Sequence, residues 1–312
     1  MDIKLTQALN GDTDNYILPF FWQTGDTKEK LEAEMNKIAN CGVKAVCLES
    51  RTHEQFCEEK WFDDFAFILE TAKKYDMKVW LLDDKHFPTG YANGKIAADF
   101  PERRQWHIIE KHIDVAGPFN GAVLVSSSGE NKAENERSLV AALAVKREQR
   151  EEVLTEEVID ITSCVSGDFL YWNVPNGCYR IFVIYKTREG SYFENYIDMI
   201  SEESVDVLIN EVYEKHYDRF KDEFGNTFAG FFSDEPCFAN GKSGGVPLGF
   251  YDFNVGIPNV AYPWRDDFMG EISKVFGESA ISFLPALWYP MGDNTAAIRL
   301  KYMQLVTKAY SE

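Results

Sequence analysis

No two of the six cysteines (Cys41, Cys47, Cys57, Cys164, Cys178 and Cys237) form a CxxC pair, so the ligand spacing of a structural zinc site is missing. Cys41 and Cys47 lie inside apolar runs and read as buried free thiols, which fits a reducing compartment. No apolar run approaches the roughly 18 residues that a membrane span needs. The N-terminal Met-Asp-Ile-Lys-Leu lacks the apolar core of a secretion signal. The expectation is a cytoplasmic chain with no membrane partner. Positive charge is scarce: 32 Lys and Arg against 51 Asp and Glu give a net charge of −19. Phosphate backbones require cation clusters, so nucleic acid is not an expected partner. Gly90, Gly94 and the glycines between 241 and 245 match neither a P-loop nor a GxGxxG turn, and no serine nucleophile elbow occurs. No cofactor is expected.

Apolar and aromatic residues are abundant, at 45% and 14% of the chain. A large core follows, with aromatic faces left over of the kind that sugar-binding clefts use. The first hundred residues alternate between two periods. Tyr16 to Trp22, Val43 to Leu48 and Met77 to Leu82 are short apolar runs, read as strands. Between them, Thr27 caps a helix that stops at Cys41-Gly42, and Trp61 to Tyr75 repeats at helical spacing. This is the βαβ pattern of a parallel sheet, with strands covered on both faces. From about Trp106 to Tyr185 the pattern changes to short strands (HIIEKHIDV, GAVLVSS, LVAALAVK, VLTEEVIDI, DFLYWNV, YRIFVIY). Pro175-Asn176-Gly177 reads as a hairpin turn between the last two, and Ser126 to Ser138 as a polar loop. A long helix opens at Ser201, with Val205, Leu208, Ile209, Val212, Tyr213 and Tyr217 on one face. A fourth parallel strand, Phe228 to Phe232, follows. Asn240 to Tyr262 reads as a long loop at the rim of that strand. Trp264 to Phe276 and Thr295 to Tyr310 read as helices.

The expected class is α/β: a partial (β/α)8 TIM-type barrel of about four βα units with an inserted antiparallel β-sandwich-like module. The expected boundaries are 1–103 for barrel strands 1–3, 104–195 for the insertion, and 196–312 for the third helix, the fourth strand and the helices after it. A complete barrel takes about 250 residues, and roughly 220 remain here once the insertion is removed, with half the strands. The expectation is therefore the N-terminal part of a longer protein, with either self-association or a missing C-terminal half completing the barrel. An open α/β sheet complete in itself is the alternative.

The parallel strands end in Glu49, in Asp83-Asp84 and in Asp234-Glu235. One acid at a strand end commonly caps the next helix, and Arg51 can pair with Glu49. Three such strands ending in acids instead point to a shared pocket, in which clustered carboxylates raise one another's pKa. Arg51 and His86 lie at the same rim, and Trp22, Phe87 and Tyr91 can stack on a sugar ring. A metal site from Asp83, Asp84, His86 and Asp234 is a third reading. His53, His107, His112 and His216 show no ligand spacing.

The blocks PFFWQTG, GVKAVCLESR, MKVWLLDDKHFPTGYANG, GDFLYWNVPNGCYRIFVIY, YIDMISEESVDVLINEVYEKHY and FAGFFSDEP resemble the N-terminal region of large bacterial glycoside hydrolases similar to the α-L-rhamnosidase-type barrel enzymes. The resemblance spans residues 16 to about 240. It implies a carbohydrate substrate and a β module inserted in the barrel. Asp234-Glu235-Pro236 is similar to the Asn-Glu-Pro of clan A glycosidases, whose fourth-strand Glu is the acid/base; Asp234 replaces the Asn. The resemblance thus implies Glu235 as general acid and places the second carboxylate on a later strand; from their place at the rim, Trp22, Glu49, Arg51, Asp83, Asp84, His86, Tyr91 and Asp234 are the expected substrate contacts or tuners of the acid. The alternatives are a non-catalytic carbohydrate-binding or truncated remnant protein, and a metal-dependent hydrolase.

Overall fold

The computed structural model describes residues 3–10, 17–125, 137–148, 154–167, 169–188, 191, 193–237, 240–242 and 254–312. The expected polar loop from Ser126 and most of the loop expected after Asn240 lie outside the described residues. The strands in chain order are β1 (Phe20–Trp22), β2 (Ala45–Glu49), β3 (Lys78–Leu82), β4 (His107–Val125), β5 (Ser138–Arg147), β6 (Leu154–Asp160), β7 (Val165–Ser166), β8 (Phe169–Thr187), β9 (Phe228–Phe232), β10 (Gly241–Lys242) and β11 (Val260–Pro263). They form a four-stranded parallel sheet and a seven-stranded antiparallel-paired sheet. The chain divides into two compact units: Met1–Arg103 with Glu203–Cys237, and Arg104–Glu202 with Phe238–Glu312. Among the described residues no helix is long and apolar enough to cross a membrane.

The first unit holds the parallel sheet, in the order β1-β2-β3-β9. Its helices are α1 (Ile3–Asn10), α2 (Lys28–Asn40), α3 (Glu59–Lys74) and the short α4 (Lys95–Ala98). Thr27 caps α2 as expected, its hydroxyl accepting from the Lys30 N–H. Gly42, at φ +81°, closes the helix with its N–H on the Ala39 carbonyl. Cys41 at this cap is exposed, whereas Cys47 within β2 is buried, so only the second follows the buried-thiol expectation. On α3, Trp61, Phe62, Phe65, Ile68, Leu69 and Ala72 are buried on one stripe. Register sets Phe20, Cys47, Trp80 and Gly230 side by side across the four strands. The rings of Phe20 and Phe232, on the two outermost strands, lie 5.7 Å apart. Three strand spacings in a flat sheet would separate them by about 14 Å, so the sheet is curled.

The long helix expected from Ser201 is broken in phase. It runs as α5 (Glu202–Leu208), a π-turn (Ile209–Tyr213) and α6 (Glu214–Phe220). The wide turn rotates the buried stripe, so Val212 and His216 are buried while Ile209 and Tyr217 are exposed. His216 sits among Trp61, Phe62, Phe65 and Phe231. Its Nδ1 donates to the Val212 carbonyl (2.6 Å) and its Nε2 accepts from the Trp61 indole (2.7 Å). Both ring nitrogens are satisfied in the neutral form, and burial pushes the pKa down to about 4.

Gly230 lies at φ +148° in β9, and a Cβ there would lie 3.3 Å from the Trp80 ring. Gly230→Ala is expected to cost about 2 kcal/mol from backbone strain and displacement of the indole. Urea unfolding measures it, and a loss below a few tenths of a kcal/mol overturns this account of the glycine.

In the second unit the sheet order is β10-β11-β4-β8-β5-β6, with β7 on β8. The separate short strands expected over 107–127 and 168–185 are instead two continuous 19-residue strands, β4 and β8, paired along their length. Pro175-Asn176-Gly177 is therefore not a hairpin. Gly177 pairs with Gly117, and the register shifts immediately beyond. A Cβ on Gly117 would fall 1.8 Å from the Pro175 carbonyl oxygen. Turn residues placed opposite each other on both strands make an irregularity in the ladder, where proline's missing donor is tolerated. The module is one curled sheet and not two packed ones. One face carries Ile108, Leu143, Phe182 and Ile184 against α7 (Phe268–Phe276), α8 (Thr295–Ser311) and the 3-10 stretch Glu278–Leu287. The other face buries Ala142, Ile181 and Val183 with Leu170 and Val174. The helices of residues 264–311 thus cover the antiparallel sheet, whereas the sequence grouped them with the fourth parallel strand.

Asp198, buried in the second unit, accepts from the Trp106 and Ile200 N–H groups, each at 3.3 Å. Burial outweighs these two bonds and pushes its pKa up to about 7.

Candidate functional site

Parallel strands end on the same edge of a sheet, so β2, β3 and β9 deliver Glu49, Asp83-Asp84 and Asp234-Glu235 to one rim. Arg51 bridges two of them. Its Nη2 donates to Asp234 Oδ2 (2.7 Å), its Nε lies 3.1 Å from Glu49 Oε1, and its guanidinium sits 5.0 Å from the Phe87 ring centroid. Glu49 is 2% exposed. Burial pushes its pKa up, with Arg51 pulling the other way.

Asp83 is the centre of a hydroxyl cluster. Thr89 donates to Oδ1 (2.6 Å), and Ser233 and Tyr213 donate to Oδ2. Burial pushes its pKa up against these three donors, and neighbouring Asp84 adds to the rise. Thr89 also exchanges bonds with β9's outlet: its Oγ1 accepts from the Asp234 N–H, and its own N–H donates to the Asp234 carbonyl, both at 2.9 Å. Asp84 is wholly buried and accepts five backbone N–H groups, those of His86, Gly90, Tyr91, Ala92 and Asn93. Ala92 and Asn93 hold φ near +50°, so this carboxylate clamps a left-handed loop.

The expected site residues thus divide. Glu49, Arg51 and Asp234 form a connected charged group. Asp83 and Asp84 are brought to the same rim but spend their oxygens on the scaffold. His86 is half exposed, with Nδ1 3.5 Å from Asp84 Oδ1 and its ring 5.2 Å from that of Tyr91. Trp22 pairs with Glu49 in register and is 51% exposed. Glu235 is exposed, at φ +47°, and its side chain makes no hydrogen bond among the described residues. The acids whose pKa burial raises are therefore Glu49 and Asp83. Among the described residues no three His, Cys, Asp or Glu side chains gather as metal ligands do.

Sequence reasoning missed Tyr213, Thr89 and Ser233. Ser233 and Thr89 were within reach, since both adjoin the rim acids in sequence. Tyr213 lies 130 residues from Asp83, and the π-turn that carries it leaves no trace in the apolar period.

No protein-family model matches the chain, and no curated protein matches it. Among solved structures, a rhamnosidase from Novosphingobium sp. PP1Y is similar in fold, with a TM-score of 0.54 at 9% identity. The match covers 95% of this chain and 43% of that one, so the chain spans less than half the length of that neighbour. The likeness is one of fold alone; this chain is a mixed α/β arrangement with a parallel and an antiparallel sheet.

Proposed function

We propose that the chain is the N-terminal part of a glycoside hydrolase barrel, with Glu235 as its general acid. The observation that carries the reading is the Glu49–Arg51–Asp234 group beside Glu235 at the rim of a curled parallel sheet. The fold likeness to a rhamnosidase supports it. In this reading the curl of β1-β2-β3-β9 is one side of a (β/α)8 barrel. Half-exposed Phe20 and Trp22 await the strands that close it, supplied by a further segment or by a second chain. Arg51 holds Asp234 and Glu49 as ligands for sugar hydroxyls. Asp83 and Asp84 fix the backbone on which Glu235 stands, and Trp22 and Tyr91 offer ring faces. Hydrolysis needs a protonated carboxyl at the leaving oxygen and a second carboxylate facing it. That second group comes from the closing strands.

The test is Glu235→Gln in the full-length protein, assayed on a panel of aryl glycosides. The rate is expected to fall by about 100-fold or more with the fold intact. Hydrolysis at the wild-type rate would sink the assignment. The second reading, carbohydrate binding without hydrolysis, is favoured by Arg51's neutralisation of two of the rim acids. It predicts that neither wild type nor variant turns over any of the glycosides while both bind sugar alike.

A further inference from the structure

The second unit contains an open cavity of about 370 Å3, lined by His112, Arg180, Asn259, Tyr289 and Pro290 among others. It forms where the apolar face of the antiparallel sheet turns polar. Residues two apart on a strand share a face. Ile108, Glu110, His112 and Asp114 thus fall in line on β4, with Ile184, Phe182 and Arg180 opposite them on β8. The first positions pack into the core; the last hold polar groups in place. Glu110 is 1% exposed and accepts from His112 Nδ1 (2.9 Å) and from the Asn259 N–H (3.3 Å). This bond puts an imidazole proton on Nδ1; in the neutral ring Nε2 is then an acceptor, and it has no protein partner among the described residues. Arg180, 4% exposed, is gripped by both oxygens of Asp114 (2.8 and 3.0 Å) and lies 4.7 Å from the centroid of the Tyr289 ring. Asn259 stands at φ +60°, its carboxamide making no bond to a described residue.

Burying a carboxylate to orient one histidine is costly where an apolar pair would fill the same space. Here it fixes an imidazole at the mouth of a cavity. With His112 neutral the formal charges around it sum to zero, Arg147 and Arg180 against Asp114 and Glu110. An anionic ligand finds no net positive charge. A neutral ligand rich in hydroxyls finds an imidazole acceptor, a carboxamide that both donates and accepts, and apolar proline and tyrosine surface. The volume suits one sugar ring with a few waters. We infer that the antiparallel unit carries its own binding pocket for a neutral monosaccharide unit, read by His112 and Asn259. This pocket is separate from Glu235 and does not rest on the hydrolase reading.

The test is saturation-transfer NMR and calorimetric titration of the intact protein with three probes: L-rhamnose, D-galactose and D-galacturonate. A neutral sugar is expected to bind saturably. Asn259→Gly keeps the left-handed backbone and its N–H bond to Glu110 while removing only the carboxamide, and is expected to weaken binding about tenfold, as is His112→Ala. Glu235→Gln is expected to leave this binding unchanged, which separates its failure from failure of the hydrolase reading. Binding of galacturonate alone, binding indifferent to both variants, or no saturation by any probe overturns the pocket.

Discussion

Asp84→Ala is expected to lower the stability of the first unit by about 4 kcal/mol, the largest effect of any single rim substitution. The side chain is wholly buried and makes no use of its charge toward solvent. It gathers the five N–H groups of residues 86 and 90–93 on its two oxygens. Alanine leaves those donors without their acceptor in a loop whose Ala92 and Asn93 are already in the left-handed region. Asp84→Asn retains one oxygen but turns an NH2 toward donors, so its loss is expected to be smaller yet substantial. Urea unfolding followed by circular dichroism reads both. A loss within about 1 kcal/mol for the alanine variant would mean that the loop holds its shape without the carboxylate. The same variant should loosen the Thr89–Asp234 exchange and so displace Glu235.

His216 and Asp198, one in each unit, are expected to contribute to the acid response in opposite senses. His216 lies in the first unit, with a folded pKa of about 4 against 6.5 unfolded. Above pH 6.5 it is neutral in both states and the stability is complete. As pH falls from 6.5 towards 4 the unfolded chain takes up a proton that the fold refuses. About 3 kcal/mol is lost across that window. Asp198 lies in the second unit, with a folded pKa of about 7 against 3.8 unfolded. Below pH 3.8 it is protonated in both states and no penalty exists. As pH rises from 3.8 to 7 the unfolded chain ionises first, and about 4 kcal/mol is lost. The stability differences of wild type from His216→Gln and from Asp198→Asn, measured by calorimetry between pH 4 and 7, should therefore slope in opposite senses. Asp198→Asn should remove the second contribution, at some cost from an amide facing the Trp106 or Ile200 N–H. His216→Gln should remove the first. Differences that slope together, or that are flat for both variants, would contradict the burial of these groups as the cause.

What was legible in the sequence follows from which residues carry single-valued signals. Parallel strands read as apolar runs, so β2, β3 and β9 and the acids at their ends were visible, as was the Glu49–Arg51 pair two residues apart. Pro175-Asn176-Gly177 misled because the residues that make a hairpin also make a break in a ladder, and only the partner strand's Gly117-Pro118 decides between them. The helices of 264–311 were visible as helices, but an apolar stripe does not name the sheet it covers. The Asp83 cluster was hidden for a different reason. It joins Asp83 to Tyr213 and Ser233 across 130 and 150 residues, and the placing of Tyr213 depends on a π-turn that the 3.6-residue period does not encode. The pocket at His112 was hidden likewise, because its walls come from β4, β8 and residues 256–290.

The excursion of the chain between β3 and β9 also sets an order of events in folding. Asp83 and Ser233 meet across 150 residues, so the parallel sheet cannot close on the ribosome until β4 to β8 have been made. Closing so long a loop as open coil carries an entropy cost that grows with its length. Pairing of β4 with β8 sets His107 beside Thr187 and shortens the effective loop. The antiparallel ladder thereby shortens the closure that brings β9 to β3, and its non-local pairing is expected to set the pace at which the rim carrying Glu235 forms.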